Sequence, residues 1–416
     1  MTTGDIVKEI NGKLINGSVN QNFIGQFKTN SKIIDADDCF IAINSGHQFI
    51  DEAIAKGAKL IICNNDFTCD TVGVIKVDNT IDVLLKIAGM IRKKHINIPV
   101  IAVTGSVGKT TTKELIYNIL SSKYKVLKSN GNKNNQIGMS ETLFKLNADY
   151  DICLLEMGMN HLGEISELSK CARPTDSVIT NIGTSHIGYL KSQKNILKAK
   201  LEILDGMTNG TLFINGDDKF LKQIKYKNLF KVGVNDYNDL IAYNIVTTKN
   251  NLYFKIKHNG KAYYITLNIP NDYLIPNVLL AIKVGLKYEV PIDVIIDKIK
   301  EYNSSNHRNE IIKLSNNIVL IDDCYNASFE SIVSGLSQLK HYNQQKIIII
   351  GDVLELGKHS KKIHKSIGIK LEQEDGKIIL VGKEGKVIKN KKFIFKDNYS
   401  EVIEYLKSIN LGNHVV

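Results

Sequence analysis

Between Val103 and Thr111 the chain reads Val-Thr-Gly-Ser-Val-Gly-Lys-Thr-Thr. Thr104, Gly105, Ser106, Gly108, Lys109, Thr110 and Thr111 supply the parts of a phosphate cradle in the order such a cradle needs them. Gly105 and Gly108 let backbone N–H groups close around phosphate oxygens. The loop opens a helix expected over Lys113–Ser122, whose N-terminus adds its partial positive charge. Lys109 is placed to reach β- and γ-phosphates, and the Thr110 hydroxyl to ligate Mg²⁺. The longer GxxxxGK[ST] pattern asks for glycine where Val103 stands, so the match is to the shorter GxxGKT form. The motif names a nucleotide site but leaves kinase, GTPase, motor and ligase open.

Further groups carry metal or phosphate chemistry. Glu156 closes the apolar run Ile152-Cys153-Leu154-Leu155, at the carboxyl end of a strand, where ligands bind in open α/β sheets. His186 follows the run Ser177–Thr180, and Lys200 with Glu202 follows on a helical stretch. Alone, His186 reads as well as a loop histidine, and Lys200 as surface charge. The chain has only three arginines, Arg92, Arg173 and Arg308. In so lysine-rich a chain each invites a role that needs a planar, bidentate guanidinium.

The elements that must position these groups alternate. Residues 1–95 mix short β-rich runs such as Cys39–Ile43 and Lys59–Cys63 with helical stretches at 49–56 and 82–94. From Val100, near-continuous apolar strands alternate with helices, which predicts a parallel sheet covered on both faces. Residues 240–270 switch to period-two alternation around Gly260 and predict a local hairpin. A third α/β unit follows from about residue 312. The expectation is an α/β chain of three domains. Residues 1–96 form a small N-terminal domain, residues 97–310 a central P-loop domain with a parallel sheet, and residues 311–416 a C-terminal Rossmann-like domain.

Composition narrows the alternatives. The chain has 416 residues, 43% hydrophobic and 23% charged, with 5 prolines. That balance excludes wholesale disorder, collagen and coiled coil. No apolar run approaches the ~18 residues of a membrane span. Met1-Thr2-Thr3-Gly4-Asp5 starts no signal peptide, so a cytoplasmic location without membrane insertion is expected. The net charge of +11 comes with no basic block beyond Arg92-Lys93-Lys94, so no nucleic-acid partner is expected. Six cysteines at irregular spacing contain no CxxC and indicate neither a zinc site nor a disulfide framework.

Taken together, five segments resemble the Mur ligase family, the ATP-dependent amide ligases of peptidoglycan precursor synthesis. They are Thr104–Thr111, Gly131–Gly138, Glu156–Ile165, Thr180–His186 and Ala199–Ile203. Asp322-Asp323-Cys324-Tyr325-Asn326-Ala327 and Gly351–Gly357, with His364 following, are similar to segments of the family member that adds D-alanyl-D-alanine. The resemblance implies joining of D-Ala-D-Ala to UDP-N-acetylmuramoyl-tripeptide through an acyl phosphate, by a monomer. The alternatives are a relative adding a single amino acid and a non-catalytic nucleotide-binding module.

The resemblance also implies roles residue by residue. Lys109 would meet the β- and γ-phosphates of ATP. Thr110 and Glu156 would hold one Mg²⁺, and His186 would help hold a second. Lys200 would carry a CO₂-derived carbamate directed toward the second ion. Asn277 would meet adenine, Arg308 the γ-phosphate and Asp323 the ribose. Substrate contacts are implied for Ser31, Lys32, His47, Asn134, Asn135 and Asn326. Tyr273-Leu274 stand where the family has His-Asn, and Asn30-Ser31-Lys32 where it has Asp-Ser-Arg.

Overall fold

The computed structural model describes residues 1–304, 307–409 and 411–416. The chain builds three α/β bodies, each around its own sheet. In the first, the strands run in the order Lys13–Asn16, Gly73–Lys76, Leu60–Cys63, Cys39–Ile41 and Phe27–Lys28. Only the pair at the Lys13–Asn16 edge is antiparallel.

The middle sheet has seven strands in the order Leu240–Ile241, Leu229–Gly233, Leu212–Asn215, Asp176–Ile179, Val100–Thr104, Ile152–Glu156 and Val126–Lys128. Every pairing in it is parallel. Val100–Thr104, Ile152–Glu156 and Asp176–Ile179 are buried along their whole length. That is why they read as unbroken apolar runs. The chain first extends the sheet to one side of Val100–Thr104 and then to the other. The carboxyl end of that strand is therefore a topological switch point, where an open α/β sheet leaves a crevice.

The helices Lys109–Leu120 and Ile275–Lys287 pack on one face of this sheet through Leu115, Ile116, Ile119, Val278 and Ile282. Pro276 in the first turn of the second helix sits where a missing N–H costs nothing. The hairpin expected over 240–270 is present as Leu252–His258 against Lys261–Leu267. Its two-residue turn, Asn259-Gly260, has both φ angles positive, as a hairpin matching strand twist requires. A third strand, Tyr243–Thr247, joins it. That strand is largely exposed, so it lacks the alternating burial that made the other two legible.

The third body is a six-stranded sheet in the order Glu310–Lys313, Val319–Asp322, His414–Val415, Gln345–Gly351, Lys377–Val381 and Phe393–Lys396. Its first pair is antiparallel and the rest parallel. One apolar cluster runs through all three bodies, from Ile6 by way of Ile165 to Val415. Among the described residues no helix is long and apolar enough to cross a membrane.

Arg92 locks the first body to the second. It stands in the last turn of the helix Thr80–Lys94 and is 1% exposed. Its guanidinium donates to the carbonyls of Ala172 at 2.8 Å, His95 at 2.6 Å and Arg173 at 3.3 Å. A five-donor planar group suits three carbonyls arriving from two directions.

Candidate active site

The loop after Val100–Thr104 turns at Gly105 and Gly108, with φ of +154° and +80°. A Cβ on Gly105 would lie 1.8 Å from Thr180 Oγ1, and one on Gly108 2.3 Å from Asn277 Nδ2. Only glycine fits such approaches at those angles. Gly108 caps the helix Lys109–Leu120. The first-turn N–H groups of Lys109, Thr110 and Thr111 have no protein acceptor among the described residues. These free donors and the helix dipole make an anion seat.

Neighbouring side chains shape the loop. Asn181 Oδ1 accepts from Ser106 N at 3.1 Å and Val107 N at 3.0 Å. Thr180 Oγ1 donates to Val107 O at 2.6 Å. Ser106 Oγ accepts from Gly183 N at 2.8 Å. Asn277 commits its amide protons to Gly108 O at 3.2 Å and Thr112 Oγ1 at 2.7 Å. It therefore braces the loop from behind while also lining the cavity. Lys109 folds over its own loop, donating to Gly105 O at 2.8 Å and Ser106 O at 3.3 Å. Desolvation lowers its pKa, opposed by Glu156 and reinforced by Arg308.

Glu156 is 1% exposed at the end of its strand. It accepts from Thr110 Oγ1 at 2.9 Å and Asn134 Nδ2 at 3.0 Å. The ammonium of Lys113 stands 3.5 Å away. Lys113 is fully buried and donates to Ser129 O at 2.7 Å and Gly131 O at 2.9 Å. It holds the 129–131 turn against the carboxylate, a role that a lysine between Thr112 and Glu114 does not announce in the sequence. Asn135 caps the helix Gln136–Leu143 through Gly138 N.

His186 has φ +63°. Its Nδ1 approaches Glu355 Oε2 to 2.6 Å, but the alignment makes no hydrogen bond and the buried nitrogen is left without a partner. Burial lowers its pKa, with Glu355 opposing and Lys109 and Lys200 reinforcing. Lys200, 2% exposed on the helix Gln193–Leu201, forms no hydrogen bond or ion pair among the described residues. Desolvation, with Lys109 adding repulsion, drives its pKa well down. Glu202 has a structural task. Its carboxylate accepts from Gly163 N at 2.9 Å and Ser166 N at 3.3 Å, capping the helix Glu164–Ala172.

The third body closes the site. Arg308 lies over the Tyr325 ring at 3.8 Å. Asp323 accepts from Asn309 N at 3.1 Å and Asn309 Nδ2 at 3.2 Å, and burial raises its pKa to about 6. Glu330 accepts from Thr184 Oγ1 at 2.9 Å, and Glu355 O from Gly188 N at 2.9 Å. Between the two bodies lies a cavity of about 1210 Å³, larger than the roughly 300–1,000 Å³ of most small-molecule sites.

Ser106, Gly108, Lys109, Thr110, Thr111, Asn134, Asn135, Glu156, His186, Asn277, Arg308, Asp323 and Asn326 all line this cavity. Thr104 and Gly105 lie beneath it. Lys200 is not among the lining residues but is close enough to Lys109 and His186 for their charges to interact. Ser31, Lys32 and His47 stand apart from the cavity. Ser31 Oγ donates to Glu52 at 3.0 Å, and His47 engages Asn44 O at 3.0 Å and Asn64 N at 3.4 Å. Sequence reasoning missed Asn181, Lys113, Glu330 and Glu355 as site-shaping residues. Asn181 and Glu355 had a signal in the segments Thr180–His186 and Gly351–Gly357, whereas Lys113 and Glu330 have none that a single sequence reveals.

Residues 103–285 match the Mur ligase middle domain, and residues 307–411 the Mur ligase, glutamate ligase domain. The UDP-N-acetylmuramoyl-tripeptide–D-alanyl-D-alanine ligase of Bacillus subtilis strain 168 is 30% identical over 398 residues, 93% of this chain and 86% of that protein. A crystal structure of MurF from Acinetobacter baumannii superposes with a TM-score of 0.90 at 25% identity, covering 98% of this chain and 92% of that one. MurF ligase from Thermotoga maritima in complex with ADP superposes with a TM-score of 0.84 at 27% identity, covering 94% and 93%.

Proposed function

Because the chain belongs to the Mur ligase family, we propose that it joins D-alanyl-D-alanine to UDP-N-acetylmuramoyl-tripeptide with conversion of ATP to ADP and phosphate. The observation that carries this reading is one shared cavity. The P-loop and the Thr110–Glu156 pair face Arg308 and Asp323 across it. An ATP-activating site built from two bodies completes itself only when they meet.

A carboxylate is a poor electrophile at neutral pH. In this reading its oxygen attacks the γ-phosphorus of ATP, giving an acyl phosphate and ADP. The dipeptide amine then adds to the acyl carbon, and phosphate leaves. Both partners in the first step are anions, so the site must offset their repulsion. The first-turn amides of the Lys109 helix hold the nucleotide phosphates. The Lys109 ammonium lets go of Gly105 O and Ser106 O and turns to the same anion. Arg308 brings a planar fork to the transferring phosphoryl group, kept extended by its stack on Tyr325. Asp323 accepts from a ribose hydroxyl.

The residues fit divalent metal ions. Thr110 Oγ1 and Glu156 Oε2 bring two hard oxygens to one place and would hold one Mg²⁺, which takes oxygen ligands. The Nδ1 of His186, left without a hydrogen-bond partner, would help hold a second ion. Mg²⁺ supplies charge neutralisation at the transferring phosphoryl group. The buried, partnerless amine of Lys200 fits uptake of CO₂ as a carbamate, which offers anionic oxygen in place of a cation. We further assign residues 1–96 to the UDP end, 97–310 to ATP and 311–416 to the dipeptide, in a monomer acting in the cytoplasm.

Phosphate release with ATP and UDP-N-acetylmuramoyl-tripeptide tests the reading. Release should depend on D-Ala-D-Ala. Release driven instead by a single amino acid from an acceptor panel would reassign the substrate, and none with any acceptor would refute the ligase.

A further inference from the structure

We propose that His307, Asp322 and Cys324 form a binding site for a thiophilic divalent cation of the zinc class, where the second body passes into the third. One ligand atom from each of the three lies within 4.8 Å of the other two, and no other such group of three occurs among the described residues. The trio is distinct from the Thr110–Glu156 and His186 positions, and its chemistry differs from theirs. A thiol and an imidazole with a single carboxylate are a poor set for Mg²⁺, which takes hard oxygen ligands. They suit Zn²⁺, which takes sulfur, nitrogen and oxygen together.

Local structure brings the ligands together. Asp322 ends the strand Val319–Asp322, and His307 stands just before its antiparallel partner Glu310–Lys313. The backbone then ties the two ends, with Tyr325 N donating to His307 O at 3.1 Å and Cys324 N to Asp322 Oδ1 at 3.1 Å. His307 Nδ1 lies 2.6 Å from Asp322 Oδ2. Without a cation this is a closed imidazole–carboxylate pair. Ligands around one tetrahedral Zn²⁺ stand roughly 3.3–3.8 Å apart, so binding opens the pair by about an ångström and Cys324 loses its proton to become the sulfur ligand. His307 and Cys324 are exposed, which leaves the cation a path in and a fourth position for water. Arg308 and Asp323 sit between the ligands in sequence. An occupied site would therefore tie their segments together whether or not nucleotide is bound.

The test uses untagged full-length protein with Mg²⁺ in excess to fill harder sites. ZnCl₂ is titrated calorimetrically and CoCl₂ by absorbance. One cation per chain is expected, with a thiolate-to-cobalt charge-transfer band in the near ultraviolet. Cys324→Ser should abolish that band. His307→Asn should weaken Zn²⁺ binding at least ~10-fold, since even outer-shell changes cost that much. Both positions are exposed, and far-ultraviolet circular dichroism should show both variants folded. No band in the wild type, a band that persists in Cys324→Ser, or unchanged Zn²⁺ affinity in His307→Asn would overturn the proposal.

Discussion

Gly108→Ala tests how the phosphate loop is held. At φ +80° an alanine costs about 1–2 kcal/mol over glycine. The new Cβ also falls 2.3 Å from Asn277 Nδ2, a contact that the amide can relieve only by leaving Gly108 O and Thr112 Oγ1. Each of those hydrogen bonds is worth about 0.5–1.5 kcal/mol net. Together the change should destabilise the middle body by roughly 2–5 kcal/mol, on the order of a 10 °C fall in Tm for a body of this size. Differential scanning fluorimetry and ADP calorimetry measure the two consequences, stability and nucleotide affinity. A double-mutant cycle isolates the cause. In an Asn277→Ala background the same substitution should cost only the backbone share, about 1–2 kcal/mol. Equal costs in the two backgrounds would refute the claim that Asn277 braces the loop through Gly108.

Three other outcomes are expected. Lys109→Ala should abolish ATP-dependent turnover, and a variant that still turned over would remove Lys109 from the phosphate site. Lys200→Ala should be folded but inactive, with partial recovery on adding a short carboxylic acid; an unmodified Lys200 in the mass spectrum together with failed rescue would argue against the carbamate. Asp323 titrates in the fold near pH 6 against 3.8 for an ordinary aspartate. Between those values the folded state holds a proton that the unfolded state has lost, so this residue's contribution to stability falls as pH rises through the window and is level above about 6. Urea unfolding of Asp323→Asn should show an advantage over the parent that grows across that window, and a constant offset would contradict the assignment.

The parts of the site that could be read from sequence are those built from neighbours in the chain. The loop Gly105–Thr111 carries its function in consecutive residues, and Glu156 was legible because a strand of unbroken apolar residues ends on it. Arg308 and Asp323 were legible only through resemblance, since no local pattern tells an arginine facing a cavity from one on a surface. Lys113 shows the limit. It occupies a helical position between Thr112 and Glu114 that reads as solvated, yet it is fully buried because the 129–131 turn folds back over it. Glu330 and Glu355 meet Thr184 and His186 only when two bodies dock; the segments Thr180–His186 and Gly351–Gly357 were legible each by itself, but their meeting was not. His47 was legible only through resemblance, and in the fold its ring nitrogens meet the backbone of its own body at Asn44 O and Asn64 N.

The knot at Arg92 has a consequence for exchanging parts between relatives. Its three acceptors belong to two bodies, and a guanidinium this deep has nowhere to go if one carbonyl is displaced. A chimera that grafts a foreign first body onto this chain at residue 96 would keep the Ala172 and Arg173 carbonyls but replace the His95 carbonyl and the cation that reads all three. The workable cut lies beyond Arg173, so that the first body would travel with the loop Gly105–Thr111 and Glu156 rather than as a separate cassette.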